Sequence, residues 1–320
     1  MLAFKPLQYA LIGCIILLNT VSATAADYAG KKIIHIDSYH AGNLWNDTIA
    51  DAIRDTLQGT GVELRIFHLD SKRQPEADSI AAAARQAQSV IDDFQPDVII
   101  TSDDNAARYL IMPYYRDVES PVVFCGLNWD ASIYGLPYRN VTGMVEVSPI
   151  PQIVRLLKTH SRGNRIGYLT ENTLTKQKEL DYHRQLFDID YDQVYLVDTF
   201  EDWKAAFLRA QNEVDMLMIL GVGALTDWDE NEARKLAEQY TRIPAGTDFA
   251  WLMQVALIGI AKLPEEQGQW AARAALKILD GTPPDQIPLT YNREGKLYFN
   301  TAIANRLGIL DIPPLAETVP

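Results

Sequence analysis

The feature that most constrains this chain is a rhythm. Short apolar runs alternate with longer amphipathic stretches, and the series occurs twice. In the first half, Ile33-Ile34-His35-Ile36 is followed by a polar loop and a helical stretch over 45–57, closed by Gly59 and Gly61. Residues 63–69 alternate like a strand. Pro75 opens an Ala-rich helix that runs to Phe94, and Pro96 stops it. Val98-Ile99-Ile100-Thr101 reads as a buried strand, Ser102-Asp103-Asp104-Asn105 as the capped start of a helix reaching Met112, and 122–125 as the next strand. Strands alternating with helices in this way predict parallel sheets covered on both faces.

The same rhythm restarts after Val141. Helices are expected over 149–160, 175–187, 201–212 and 229–240, and strands over 165–170, 193–197, 216–220 and 244–248. Two α/β series of similar size predict two lobes. Beyond them, 251–262 and 266–279 read as helices, and Gly281-Thr282-Pro283-Pro284 breaks the pattern. Residues 288–299 read as extended, with a hairpin around Arg293-Glu294-Gly295, and 300–307 as a terminal helix ending at Gly308. A tail of this kind implies that the chain returns to the first lobe and crosses again.

The N-terminus carries a different signature. Lys5 is the one charge before Asp27, an apolar stretch runs over 7–18, and Ala23-Thr24-Ala25-Ala26 supplies small residues. These are the parts of a cleaved secretory signal, residues 1–26, cut after Ala25 or Ala26. The apolar run is short for a membrane span, which needs about 20 residues. Leu11-Ile12-Gly13-Cys14 also resembles a lipoprotein box, but the most apolar residues, 15–18, follow Cys14 and would be left exposed by lipidation there. Ordinary cleavage is therefore expected, with a periplasmic product. It would leave Cys125 as the single cysteine, so no internal disulfide can brace the fold. Set within an apolar run, Cys125 reads as a small core residue. The chain is 48% hydrophobic, enough for sizeable cores, and its formal net charge is −13, which disfavours nucleic acid or anionic membrane as a partner.

In open parallel sheets ligands gather at the carboxyl ends of the strands, which directs attention to six loops. The first holds Asp37-Ser38-Tyr39-His40, with Trp45 beyond. Ser38 and amides at a helix start suit an anionic group, and Tyr39 and Trp45 can stack on a ring, although the same residues could cap a turn and fill an interface. The second holds Ser102, Asp103 and Asp104, acids that could hold an ammonium group or simply cap a helix. The third offers Asn128 and Trp129. From the second half come Glu171 and Thr173, then Gly223, then Asp248 and Trp251. Enzyme motifs are poorly represented. Gly221-Val222-Gly223 lacks the third glycine of a dinucleotide fingerprint, where Thr226 stands, and neither a P-loop nor a G-x-S-x-G elbow occurs. Asp37, Ser38 and His40 have the residue types of a hydrolase triad, but neighbours on one loop seldom reach its geometry. His35, His40, His68, His160 and His183 show no metal-ligand spacing. Asn140-Val141-Thr142 matches a glycosylation tripeptide, a pattern common by chance.

Taken together, Ser38-Tyr39-His40 with Trp45, Pro96-Asp97-Val98-Ile99, Pro121-Val122-Val123-Phe124 with Gly126, Glu266-Gln267-Gly268, Ala271-Ala272, Ile278-Leu279-Asp280-Gly281 with Pro284, and the segment 300–308 give the chain a recognisable order. The sequence resembles the substrate-binding family of ABC transporters with the type I periplasmic binding protein fold. The resemblance implies an α/β protein of two Rossmann-like lobes, a Venus-flytrap joined by three hinge crossovers, with the ligand in the cleft. The expected division is 27–143 plus 250–286 for lobe 1 and 144–249 plus 287–320 for lobe 2. Some members of the family bind aromatic or other amino acids. At Ser102-Asp103-Asp104-Asn105 the chain departs from the Thr-Pro-Ala-type loop common among relatives.

The expectation is therefore a monomeric, non-enzymatic binding protein without cofactor or metal. It would close around an amino acid or related zwitterion and deliver it to an ABC permease. Tyr39 and Trp45 would form a wall, Ser38 and nearby amides would hold the anionic end, and Asp248, Asp103 or Asp104 the cationic end. Similar domains serve as sensors, so docking on a membrane histidine kinase or cyclase is an alternative, and an exported hydrolase using Ser38 and His40 a weaker one.

Overall fold

A computed structural model describes residues 28–320, so the expected signal segment and Cys14 lie outside the described residues. The first five strands are β1 (Lys32–Asp37), β2 (Glu63–His68), β3 (Val98–Ser102), β4 (Val122–Asn128) and β5 (Val141–Glu146). The next five are β6 (Ile166–Glu171), β7 (Gln193–Val197), β8 (Met216–Ile219), β9 (Ala245–Thr247) and β10 (Ile258–Lys262), and the last are β11 (Thr290–Tyr291), β12 (Gly295–Asn300) and β13 (Glu317–Val319). They form two sheets, ordered β11-β5-β4-β3-β1-β2 and β13-β12-β10-β9-β8-β6-β7. Every pairing is parallel except β10 with β12.

Helices α1 (Leu44–Leu57), α2 (Ala77–Phe94), α3 (Asp103–Ala106) and α4 (Met112–Tyr114) belong to the first sheet. Helices α5 (Ile150–His160), α6 (Leu174–Phe187), α7 (Phe200–Glu213) and α8 (Glu230–Tyr240) belong to the second. Helix α9 (Pro264–Leu279) returns to the first, and α10 (Thr301–Leu307) closes the second. A π-helical turn over Ala107–Ile111 joins α3 to α4. Side-chain caps start several of these helices: Thr173, Thr199, Asp229 and Asn300 each accept from a first-turn amide.

The first lobe has two cores, one on each face of its sheet. Ile33, Ile53, Val98 and Cys125 meet the alanines of α9 on one side, and Ile34, Phe94, Leu110 and Phe124 pack on the other. The second lobe is built round Tyr168, Trp203, Phe207 and Phe299. Continuous burial of β3 and β8 fits parallel strands covered on both faces.

The chain passes between the sheets three times: after β5, after β10 and after β11. Strand pairing moves the expected lobe boundaries. Residues 144–146 continue β5 in the first sheet, and Thr290-Tyr291 pair with it there. Residues 258–262, expected with lobe 1 and within a helix, form β10 of the second sheet, preceded by a 3-10 turn over Ala250–Val255. The apolar run 252–258 has helical spacing, but β-branched Ile258 and Ile260 flank Gly259, where a Cβ would stand 2.3 Å from Met253 Sδ. The expected hairpin around Arg293 is instead the third crossing, since β11 and β12 belong to different sheets.

Side chains tie these crossings together. Asn292 donates from Nδ2 to the Val147 carbonyl (3.1 Å) and accepts from the Val147 amide at Oδ1 (2.7 Å), clamping the third crossing to the first. Glu266, at the start of α9, accepts from the amides of Arg293 and Glu294.

Candidate functional site

The carboxyl ends of β1, β3, β4 and β5 face those of β9 and β10 across a cleft of about 480 Å³, lined by Tyr39, Asn43, Leu44, Trp45, Lys72, Asp103, Asn128, Glu146, Asp248, Phe249, Ala250, Ala261 and Lys262. Both sheets contribute, so the cleft exists only when the two lobes are juxtaposed.

Its floor is charged and constrained. Asp37, fully buried at the end of β1, accepts from Asn46 Nδ2 and the Tyr39 amide and pairs with His68 Nδ1 at 3.0 Å. Asn46 Nδ2 also reaches Asp103 Oδ2 at 2.9 Å. Asp103 adopts φ +67°, a conformation uncommon for a residue with a side chain, at the turn from β3 into α3. Burial, then the Glu146 charge, push its carboxyl well above the usual carboxylate range against the bond from Asn46. Asp103 is therefore held toward the neutral, donating form. Burial, and after it the neighbouring Asp103, also raise the pKa of the Tyr39 hydroxyl.

Across the hinge Lys262 Nζ lies 2.7 Å from Glu146 Oε1. Burial opposes the ammonium charge, but Glu146, Asp248 and Glu179 outweigh it and raise its pKa. Asp248 Oδ2 accepts from Ser148 Oγ at 2.5 Å, whereas Oδ1 is buried with no hydrogen-bond partner among the described residues. Such a carboxylate oxygen carries an uncompensated desolvation penalty that a donor entering the cleft would remove. Aromatic faces complete the site: Lys72 Nζ sits 4.2 Å from the Tyr39 ring centroid, Lys262 Nζ 5.9 Å from Trp45, and Lys176 Nζ 5.4 Å from Phe249.

Of the residues expected from the sequence, Tyr39, Trp45, Asp103, Asn128 and Asp248 line the cleft. The others are placed elsewhere. Ser38 is fully buried, donating to the Ser102 carbonyl at 2.5 Å and accepting from the Ala106 amide at 2.9 Å, so its hydroxyl braces α3 and has no proton left for an anion. Ser102 is also buried, against His35 Nε2 at 3.0 Å. His40 approaches Asp70 at 3.7 Å rather than Ser38, so the triad arrangement is not assembled. Asp104 bonds Asn128 and Tyr134. Trp129 stacks on Tyr182 of α6 at 5.8 Å, a contact between lobes. Thr173 caps α6, Glu171 accepts from the Ala224 amide at 2.6 Å beside Gly223, and Trp251 stands half exposed against Phe249.

Sequence reading missed Asn43, Leu44, Lys72, Glu146, Phe249, Ala250, Ala261 and Lys262. Glu146 had a signal, as the polar end of a buried apolar strand. Lys262 carries none, because the apolar spacing of 251–262 predicts a helix where the chain forms β10. Among the described residues no group of three or more His, Cys, Asp or Glu side chains is arranged to hold a metal ion.

Two α/β lobes, three crossings and a polar, aromatic cleft at facing strand ends define a solute-binding protein of the type I periplasmic class. A family profile described as ABC transporter substrate binding protein matches residues 45–314, and the chain belongs to that family. Proteins of this kind bind small ligands and work with membrane permeases.

Solved structures share the fold. A ligand-free, open substrate-binding protein with adhesive properties from Clostridium difficile superposes with TM-score 0.68 at 16% identity, covering 90% of this chain and 99% of that one. An ABC domain in complex with L-Trp from Streptococcus pneumonia gives 0.52 at 17% identity, covering 90% and 99%. A periplasmic ribose ABC transporter protein from Conexibacter woesei gives 0.56 at 14% identity, covering 88% and 96%. Comparison with curated protein sequences returned no match. Among the described residues no helix is long and apolar enough to cross a membrane.

Proposed function

We propose that this protein is exported to the periplasm, closes around a free amino acid, and presents it unchanged to the permease of an ABC transporter. The observation that carries the ligand class is the buried, unpartnered Oδ1 of Asp248 in a cleft walled by Tyr39, Trp45 and Phe249. An ammonium group bonded there would compensate the carboxylate. Lys72, on the opposite lobe, is the cation available to the ligand's carboxylate, because Lys262 is already paired with Glu146. The cavity falls within the range of about 300–1,000 Å³ typical of small-molecule sites. The L-Trp complex among the fold neighbours supports an aromatic side chain between these walls. A ligand touching both lobes stabilises the closed state by its differential affinity for it.

The test is a thermal-shift screen against amino acids, amines, sugars and carboxylates, with recovered ligand identified by mass spectrometry. A ligand at 100 times its Kd adds about 2.7 kcal/mol. An amino acid should raise the midpoint and be recovered intact, and Asp248→Asn and Lys72→Met should each abolish the rise. A response confined to sugars, or one that survives both substitutions, would overturn the ligand class.

A further inference from the structure

Asp104 lies outside the cleft but holds a residue that lines it. Its carboxylate accepts from Asn128 Nδ2 at 2.6 Å and from the Tyr134 hydroxyl at 2.8 Å. An ionised carboxylate can only accept, so the atom of the Asn128 amide that it holds is the nitrogen. The amide's other polar atom, the acceptor Oδ1, is the one left for a ligand. Tyr134 is itself anchored. Its carbonyl accepts from the Tyr138 hydroxyl at 2.8 Å, and it ends the 3-10 turn Ala131–Tyr134 that Asp130 caps. Burial first, and then Asp104, raise the pKa of the Tyr134 hydroxyl, so it stays a donor. Asp104 is held in turn, following the left-handed Asp103 at the start of α3. Asn128 thus cannot turn its amide over without losing a charge-assisted bond and facing a carboxylate with an oxygen.

We infer that Asp104 is a positioning residue that locks the Asn128 carbonyl oxygen toward the cleft, so that the site selects ligands whose side chain carries an N–H or O–H donor. The inference rests on the reading of this cleft as an amino-acid site. A site built to receive a donor discriminates against an analogue lacking it, because its own acceptor is then left unpaired. Methylating the ligand's donor removes the bond, and replacing Asp104 by Asn frees the amide to present either atom.

Two measurements on the full-length protein test this. The first needs no ligand: the Asn128 side-chain amide, assigned in a 15N spectrum by its loss in Asn128→Ser, should have one proton shifted downfield and slow to exchange. That signature should vanish in Asp104→Asn and persist in Tyr134→Phe. The second compares L-tyrosine with O-methyl-L-tyrosine, and L-tryptophan with 1-methyl-L-tryptophan. Wild type and Tyr134→Phe should prefer an unmethylated ligand by about tenfold, and Asp104→Asn should lose most of that preference. An Asn128 amide that is identical in wild type and Asp104→Asn, or a preference that Asp104→Asn leaves intact, would overturn the inference. If none of the four compounds binds, the amino-acid reading fails, and the amide spectrum still decides whether Asp104 holds Asn128.

Discussion

Gly268 offers a sharp test of how the first lobe is packed. It lies in α9, which crosses α1, and a Cβ built there would stand 2.3 Å from the Ile49 carbonyl oxygen and 2.9 Å from Ala52 Cβ. Neither neighbour can swing aside, because one is helix backbone and the other a methyl group on a helix. Real Cβ contacts lie beyond 3.0 Å, so Gly268→Ala must part the helices by about 0.7 Å. Overpacking of this kind costs about 1–3 kcal/mol. The better helix propensity of alanine returns about 1 kcal/mol, leaving a net loss of up to about 2 kcal/mol. With an unfolding entropy of about 2.1 cal/mol/K per residue, a chain of this size loses up to about 3 °C of Tm. Calorimetry of Gly268→Ala and Gly268→Val, with Lys277→Ala on the exposed face of α9 as a neutral control, checks this, and valine should cost more than alanine. Ligand affinity should fall as well, because the adjacent Gln267 Oε1 accepts from the Gly126 amide at 2.9 Å and ties α9 to β4 beside the cleft. A Tm for Gly268→Ala above wild type, or one for Gly268→Val no lower than that of Gly268→Ala, would refute close packing at this crossing.

Asn292→Ala strands the Val147 amide and carbonyl at the hinge, and should lower stability by about 2 kcal/mol in urea unfolding; no change would mean that water replaces the clamp. His183 is buried beside Tyr191, and burial followed by the Lys176 charge lowers its pKa to about 3. The unfolded histidine takes up its proton near pH 6.5 and the folded one near 3, so the unfolded state binds more protons between these values and stability falls as pH is lowered through that window. From pH 7 to pH 5 the loss from this residue is about 2 kcal/mol, and His183→Gln should be less acid-sensitive than wild type by that amount; an unchanged pH slope would contradict the assignment. For the pair across the hinge, Glu146→Gln and Lys262→Met should each cost about 3 kcal/mol, and the double variant less than their sum; strict additivity in unfolding measurements would show that the two charges are not coupled.

Much of the architecture is written locally. Apolar runs at 33–36, 98–101 and 216–219 can be little other than buried strands, and Thr199, Asp229 and Asn300 mark helix starts by chemistry that depends on neighbours a few residues away. Those signals survive folding because each is satisfied within its own segment. The rule that ligands gather at strand ends then directed attention to Tyr39, Trp45, Asp103, Asn128 and Asp248, all of which line the cleft.

What the local pattern could not determine was partnership. Residues 258–262 have the apolar content of a helix or a strand, and only the neighbouring edges of β9 and β12 decide for the strand. The segment 290–300 looks like a hairpin until its two strands are seen to serve different sheets. Ser38 and Asp104 have residue types suited to ligands, yet their hydrogen bonds are taken by groups 64 and 24 residues away. Lys72 and Glu146 come from distant segments of the first lobe and Lys262 from the second, and only the tertiary structure brings them to one cleft. Sequence by itself determined most of the strands and helices, with 258–262 the exception, because those choices rest on near-neighbour spacing and capping. The tertiary structure alone decided which polar groups are spent on holding the fold and which remain for a ligand, because a hydrogen bond between remote segments leaves no trace in the order of residues.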